Sequence, residues 1–176
     1  MKILAFAASS SKDSINKQLI MHIAQDMLSE HDVQVLDLND YELPLFSVDR
    51  EKELGKPALA KAFLAKIAQS DGVIISFAEH NHSYSVAYKN LFDWCSRIQK
   101  VFQHKPMIFL ATSPGGRGGA NVLAEAVRTA PFFDGDVRAS LSIASFQQNF
   151  DSQSGQLSNA QIRQDLEATL KELVSC

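Results

Sequence analysis

Apolar residues along this chain follow two periodicities that alternate. Lys2–Ala8, Gly72–Ala78 and Pro106–Thr112 are short, nearly continuous apolar runs bounded by Gly, Pro or Ser, the pattern of strands buried on both faces of a sheet. Val33–Leu38 mixes polar and apolar positions and Val137–Ile143 alternates cleanly, which places both at sheet edges partly open to solvent. Between the runs lie helical spacings: Ile15, Leu19, Ile23 and Met27; Leu59, Phe63 and Ile67; Val86, Leu91, Trp94 and Ile98; Val122, Ala126 and Val127; Ile162, Leu166, Leu170 and Leu173. Each set forms one apolar stripe on an amphipathic helix. Pro57 suits the first turn of the second helix, where a missing N–H costs nothing. Ser158, three residues before Gln161, reads as a capping box opening the fifth.

Five alternations of strand and helix predict a single α/β domain over residues 1–176, a three-layer sandwich around a five-stranded parallel sheet. With the second and fifth strands at the edges, the order is 2-1-3-4-5, which reverses direction between the first and third strands. Ligands in open α/β sheets bind at such a reversal, beyond the carboxyl ends of the strands. The loops after strands one, three and four are therefore the candidate site.

The 176 residues, 45% hydrophobic and 21% charged, suit one globular domain with a sizeable core. A net charge of −3 without a basic run argues against nucleic acid or an anionic membrane as partner, since either needs a clustered positive face. No segment approaches the roughly 20 apolar residues of a membrane span. The apolar run after Lys2 stops at Ser9 without a cleavage pattern. Cys95 and Cys176 match no metal-ligand spacing, which points to a reducing, cytoplasmic setting. Cys95 reads as a small buried hydrophobe beside Trp94.

The first candidate loop, Ser9–Asn16, runs into a helix; its hydroxyls, Lys12 and the free amides of the helix start make an anion cradle. Neither a GxxxxGK(S/T) nor a GxGxxG pattern is present, so nucleotide P-loop and dehydrogenase-type sites lose support. The plain alternative is a polar turn capped by Asp13 or Ser14. The second loop, Glu79-His80-Asn81-His82-Ser83-Tyr84-Ser85, offers amide edges and flat rings to a planar heterocycle. His80 and His82, two apart, could share one side of an extended segment with Glu79 adding an oxygen, but no third well-spaced ligand is visible, so these histidines read as surface or pocket-lining groups. The third loop, Ser113–Gly119, holds half of the chain's 8 glycines, which lets backbone amides approach a ligand closely. Arg117 at its centre either grips a phosphate or carboxylate or is merely solvated. Asp93 and Arg97, four apart on the third helix, are placed to pair within the chain or across an interface. The Tyr41–Lys56 connection is long for an α/β unit, and such loops tend to be functional.

These residues resemble the NADPH-dependent FMN reductase family, flavodoxin-like flavoproteins that include quinone, azo-dye and chromate reductases. Ala8–Asn16 is similar to the family's G-S-(L/T)-R-x-x-S-x-N and keeps Ser9, Ser14 and Asn16. Leu43-Pro44-Leu45-Phe46 with Asp49 and Glu51 is similar to its L-P-x-(Y/F)-x-x-D-x-E. Residues 68–97 keep Asp71, Glu79, Asn81, Ser83, Lys89, Asn90, Asp93, Trp94, Ser96 and Arg97 of the segment built around P-E-Y-N and L-K-N-x-x-D-W-x-S-R. The chain departs from the pattern at Ala8 and Ser11, which replace Gly and Arg, at Ala78 and His80, which replace Pro and Tyr, and at Ser85-Val86, which replace Pro-Gly.

The resemblance implies bound FMN, its phosphate held by Ser9, Ser11, Ser14 and Asn16, its ring against Glu79, His80, Asn81, His82 and Ser83 and against Ser113, Gly115, Gly116, Arg117 and Gly118. It implies NADPH or NADH as the hydride donor and a small acceptor such as a quinone or free flavin, with no obligatory catalytic side chain. It also implies a homodimer or homotetramer joined through the third helix and the loop after strand two. Two other outcomes are a non-catalytic flavin electron carrier and a degenerate member acting as a regulatory module.

Overall fold

A computed structural model describes residues 1–174, so Cys176 lies outside the described residues. Strands β1 (Lys2–Ala8), β2 (Asp32–Leu36), β3 (Gly72–Phe77), β4 (Pro106–Thr112) and β5 (Asp136–Ile143) form one parallel sheet. Its order is β2-β1-β3-β4-β5, as the apolar pattern predicts. Every residue of β3 is buried, as is all but the first of β1 and β4, whereas β2 and β5 alternate. Continuous apolar runs therefore mark strands covered on both faces.

Helices α1 (Ile15–His22), α2 (Val48–Leu54), α3 (Ala58–Gln69), α4 (Val86–Ser96), α5 (Ala120–Thr129) and α6 (Ala160–Val174) accompany the sheet. Successive strand side chains point to opposite faces, which splits the core in two. Leu4, Phe6, Val73, Ile75, Phe77, Met107 and Phe109 pack with α3, α4 and α5. Ile3, Ala5, Ile74, Ile108 and Leu110 pack with α1 and α6. Burying each large side chain is worth about 1.5–3 kcal/mol, so the two layers hold the sheet rigid beneath the loops at its carboxyl end. No helix among the described residues is long and apolar enough to cross a membrane.

Several local expectations are corrected. β2 ends at Leu36 rather than Leu38, because the Asp37 carboxylate accepts the Asn39 N–H and opens a 3₁₀ turn over Leu38–Tyr41. Pro57 precedes α3 instead of lying in its first turn; its ψ of 145° is extended, and its carbonyl starts the helical ladder by accepting Lys61 N–H. Asn159, not Ser158, caps α6: its Oδ1 accepts the amides of Gln161 and Ile162 at 3.0 and 3.2 Å. Ser158 is held instead by its N–H to the Asn149 carbonyl.

The long connection after β2 contains α2, capped by Ser47. Asp93 and Arg97 do not pair with each other. Lys89 reaches Asp93 at 2.7 Å, and Arg97 reaches Glu51 on α2 at 3.0 Å. The stripe of α1 continues through a wider π-type turn, Ile23–Met27. After β5, a short helix at Phe146–Asn149 and a hairpin of Phe150–Asp151 with Gln156–Leu157 bring Phe146 and Phe150 into a stack 4.5 Å apart against the second core. Cys95 is fully buried in the first core beside Trp94, as expected of a small hydrophobe.

Candidate functional site

At the carboxyl ends of β1, β3 and β4, where strand order reverses, the three loops enclose one crevice. Ser9, Ser11, Ser14, Asn16, Glu79, His80 and Ser113 line it together with Asp13, Ile15, Ala78, Thr112 and Pro114. The first loop is shaped by its own hydroxyls. Ser9 Oγ accepts the Ser11 N–H at 3.2 Å, and Ser14 caps α1 by accepting the Lys17 N–H at 3.3 Å. The amides of Ile15 and Asn16 in the first turn have no intrahelical acceptor, and with the helix dipole they turn partial positive charge toward the crevice. Lys12 is exposed beside it. Lys17 instead pairs with Asp37, and that ammonium beside it is the largest cause holding the Asp37 carboxyl below its ordinary value.

Asn16 stands apart from the other predicted phosphate contacts. It is 2% exposed, and its amide is spent on protein groups. Its Oδ1 accepts from Ser76 Oγ at 2.7 Å and Thr112 N at 3.2 Å, and its Nδ2 donates to the Thr112 carbonyl at 3.3 Å. Thr112 Oγ1 continues the chain of bonds to the Ile143 carbonyl at 2.8 Å. Asn16 thus bolts the start of α1 to β3 and β4.

The second segment, expected as a loop, is a hairpin. Glu79–His80 pairs with Ser83–Tyr84 across a two-residue turn at Asn81 and His82, with φ of 50° and 69°. A type I′ turn needs positive φ at both central residues; Asn and His are both among the non-glycine residues enriched there, though each must be held in it. The hold comes from α5: Asn121 Nδ2 lies 3.0 Å from His82 Nδ1 and 3.4 Å from Glu79 Oε1. Glu79 in turn caps α5, accepting the N–H groups of Asn121 and Val122 at 2.9 and 3.0 Å. Burial pushes the Glu79 carboxyl up, but the bonds from Val122 and Asn121, with the charge of His82, outweigh it and leave it below its ordinary value. Ser83 Oγ donates to Glu125 at 3.0 Å. Asn81, His82 and Ser83 therefore occupy the hairpin tip and second strand, beside the crevice rather than in its lining.

The glycines of the third loop divide by role. Gly118 has φ +60°, and a Cβ there would lie 2.4 Å from Ser142 Oγ and 2.9 Å from the backbone at Ile143 and Ala144. It is required by close approach to β5. Gly115 and Gly116 are exposed, and a Cβ at either would meet nothing within 4 Å. Arg117 is exposed beside them, its carbonyl accepting from Ser142 Oγ.

Sequence reasoning missed Asn121, Glu125, Ser76 and Thr112. Each acts across at least 30 residues of chain, so no local pattern marks them. It also missed what fills one departure from the family pattern: Ser85, buried, donates to the Ala8 carbonyl at 2.7 Å and caps α4 by accepting the Tyr88 N–H at 3.3 Å. One hydroxyl thus ties the end of β1 to the start of α4.

The donor set suits FMN at this crevice. Hydroxyls and free amides at a helix start match a phosphate, and Glu79–His80 with Ser113–Pro114 form two further walls for a planar group. Among the described residues, no group of three or more His, Cys, Asp or Glu side chains could hold a metal ion.

Residues 1–146 match the model of the NADPH-dependent FMN reductase family. A 2-hydroxy-1,4-benzoquinone reductase of Burkholderia sp. is 36% identical over 122 residues, covering 68% of this chain and 64% of that protein. A quinone reductase of Escherichia coli K12 is 30% identical over 121 residues, with 68% and 64% covered. The chain thus spans just under two thirds of these relatives. A flavoenzyme NAD(P)H:(acceptor) oxidoreductase of Paracoccus denitrificans has the same fold, with a TM-score of 0.80, 23% identity and coverage of 99% and 95%. By the family-model match across most of its length, joined to a phosphate-type cradle at the sheet's reversal point, the chain belongs to the NADPH-dependent FMN reductase family.

Proposed function

We propose that this chain is an FMN-dependent NAD(P)H oxidoreductase that passes electrons to a small acceptor such as a quinone or free flavin. The observation that carries the reading is the meeting of the α1 start, the Glu79–His80 strand of the hairpin and the Ser113–Pro114 start of the third loop around one crevice. Bound there, FMN supplies the hydride and electron chemistry. The protein's part is to bind and orient. The amides of Ile15 and Asn16 with the hydroxyls of Ser9 and Ser11 meet the phosphate. Ser14 and Asn16 act one step back, fixing the direction of those amides.

The hairpin offers the ring a firm edge because Glu79, Asn121 and Glu125 pin it to α5. His80 supplies a flat imidazole at the crevice wall. No side-chain acid or nucleophile is needed in this division of labour. The quinone reductases among the relatives support the acceptor class. The reading includes a cytoplasmic homodimer or homotetramer; Leu45, Val48 and Val86, exposed by 67%, 57% and 68%, supply apolar surface on the loop after β2, α2 and the start of α4.

Titration of the purified chain with FMN, followed by flavin fluorescence, is expected to saturate at one flavin per chain. The loaded protein is then expected to oxidise NADPH or NADH when a benzoquinone is supplied. Absence of saturable FMN binding by folded protein overturns the reading. Binding without nicotinamide oxidation leaves the carrier alternative in its place.

A further inference from the structure

The hairpin that borders the crevice is also a wall of a second cavity. Tyr84, in its second strand, faces a space of about 160 Å³ between α4 and α5 that shares no lining residue with the crevice. We propose that this cavity binds a neutral, single-ring phenol.

Size comes first. An apolar protein cavity of about 150 Å³ holds benzene, so the space fits one six-membered ring with a small substituent and excludes fused rings. The walls are Phe77, Tyr84, Tyr88, Phe92, Phe109 and Phe133. Phe77 meets Phe109 at 5.1 Å and 80°, and Phe92 meets Phe133 at 4.7 Å and 84°. Edge-to-face walls present both ring faces and ring edges to a guest, the arrangement aromatic rings prefer. An aliphatic guest gains only the apolar contact.

The polar groups choose the substituent. Thr129 Oγ1 donates its proton to the Glu125 carbonyl at 2.9 Å and is left as an acceptor, whereas Tyr84 Oη, 3.3 Å from it and long for a hydroxyl pair, keeps capacity for a better partner. Glu125 lines the same wall and accepts one bond from Ser83, which leaves a carboxylate oxygen for a further donor. At the solvent end Lys89 is neutralised by Asp93 at 2.7 and 2.9 Å. Among the side chains that line the cavity Glu125 is then the remaining charge, with Arg128 acting on Tyr84 from outside the lining; Glu125 repels an aromatic carboxylate and accepts from a phenolic O–H. The site is independent of the flavin assignment, since none of these residues lines the crevice.

Calorimetric titration of the full chain without flavin, using phenol, toluene and benzoate in parallel, tests this. Phenol is expected to bind one per chain with Kd at or below roughly 1 mM, reasonable for so few non-hydrogen atoms. Toluene is expected to bind several-fold more weakly, and benzoate at least about tenfold more weakly. Ala126→Phe, which fills the cavity from α5, is expected to weaken phenol binding by at least about tenfold with unchanged far-UV circular dichroism. Ala126→Leu is a smaller plug that serves if Phe prevents folding. No saturable phenol heat, benzoate binding as tight as phenol, or undiminished binding to a folded plugged variant each overturns the proposal.

Discussion

Asn16 separates a ligand contact from a structural bolt, and Asn16→Ala tells which it is. The side chain is 2% exposed between Ser76 at 0% and Thr112 at 1%. Removing it orphans the Ser76 hydroxyl, the Thr112 N–H and one acceptor position on the Thr112 carbonyl. A net hydrogen bond is worth about 1 kcal/mol, and a buried group left unpaired costs about 1–3 kcal/mol. Two of the three bonds, at 3.2 and 3.3 Å, are long and belong at the weak end.

The expected loss for Asn16→Ala is therefore about 3 kcal/mol, or roughly 6–12 °C in Tm for a domain of this size. Urea denaturation of flavin-free protein measures it. FMN affinity of the folded variant is expected to change by less than about threefold, under 1 kcal/mol. A stability loss below about 1 kcal/mol with FMN affinity falling more than tenfold refutes the reasoning and returns Asn16 to the phosphate.

Glu79→Gln is expected to cost about 1 kcal/mol, because a charged cap on the first-turn amides of α5 becomes a neutral one. The Glu79 carboxyl is lowered in the folded state, so its contribution is fully present above the ordinary glutamate range and is lost as pH falls through the lowered value. Wild type and variant are thus expected to converge in urea midpoint at acid pH, and a constant gap contradicts the charge effect. Gly118→Ala, with its Cβ 2.4 Å from Ser142 Oγ and φ of +60°, is expected to lose about 2 kcal/mol or more, whereas Gly116→Ala, in open space, stays within about 0.5 kcal/mol. Equal thermal shifts dispose of that division. Burial raises the Cys95 thiol to about 12; iodoacetamide at neutral pH is expected to spare it until the protein is unfolded, and mass spectrometry of the peptide around Trp94 reads the outcome.

The order of strands, the layer structure and the three loops at the reversal point were legible because they follow from periodicity. A strand covered on both faces must be largely apolar, and an edge strand must alternate; β3 is buried throughout with Ser76 its one polar side chain, and β5 alternates. The motifs around Ser9, Glu79 and Asp93 carried the family for a similar reason, since fixed spacing along the chain is what a sequence displays. Tertiary structure alone decided which polar groups of the crevice wall also hold it together. Ser14 and Asn16 read as ligands from their place in the loop, yet folding brings Lys17 N–H, Ser76 and Thr112 to them. Glu79 and Gly118 likewise serve α5 and β5. A hydrogen bond is satisfied by whatever lies within about 3 Å, and that neighbour comes from another strand or helix, so polar roles are settled only when the layers close.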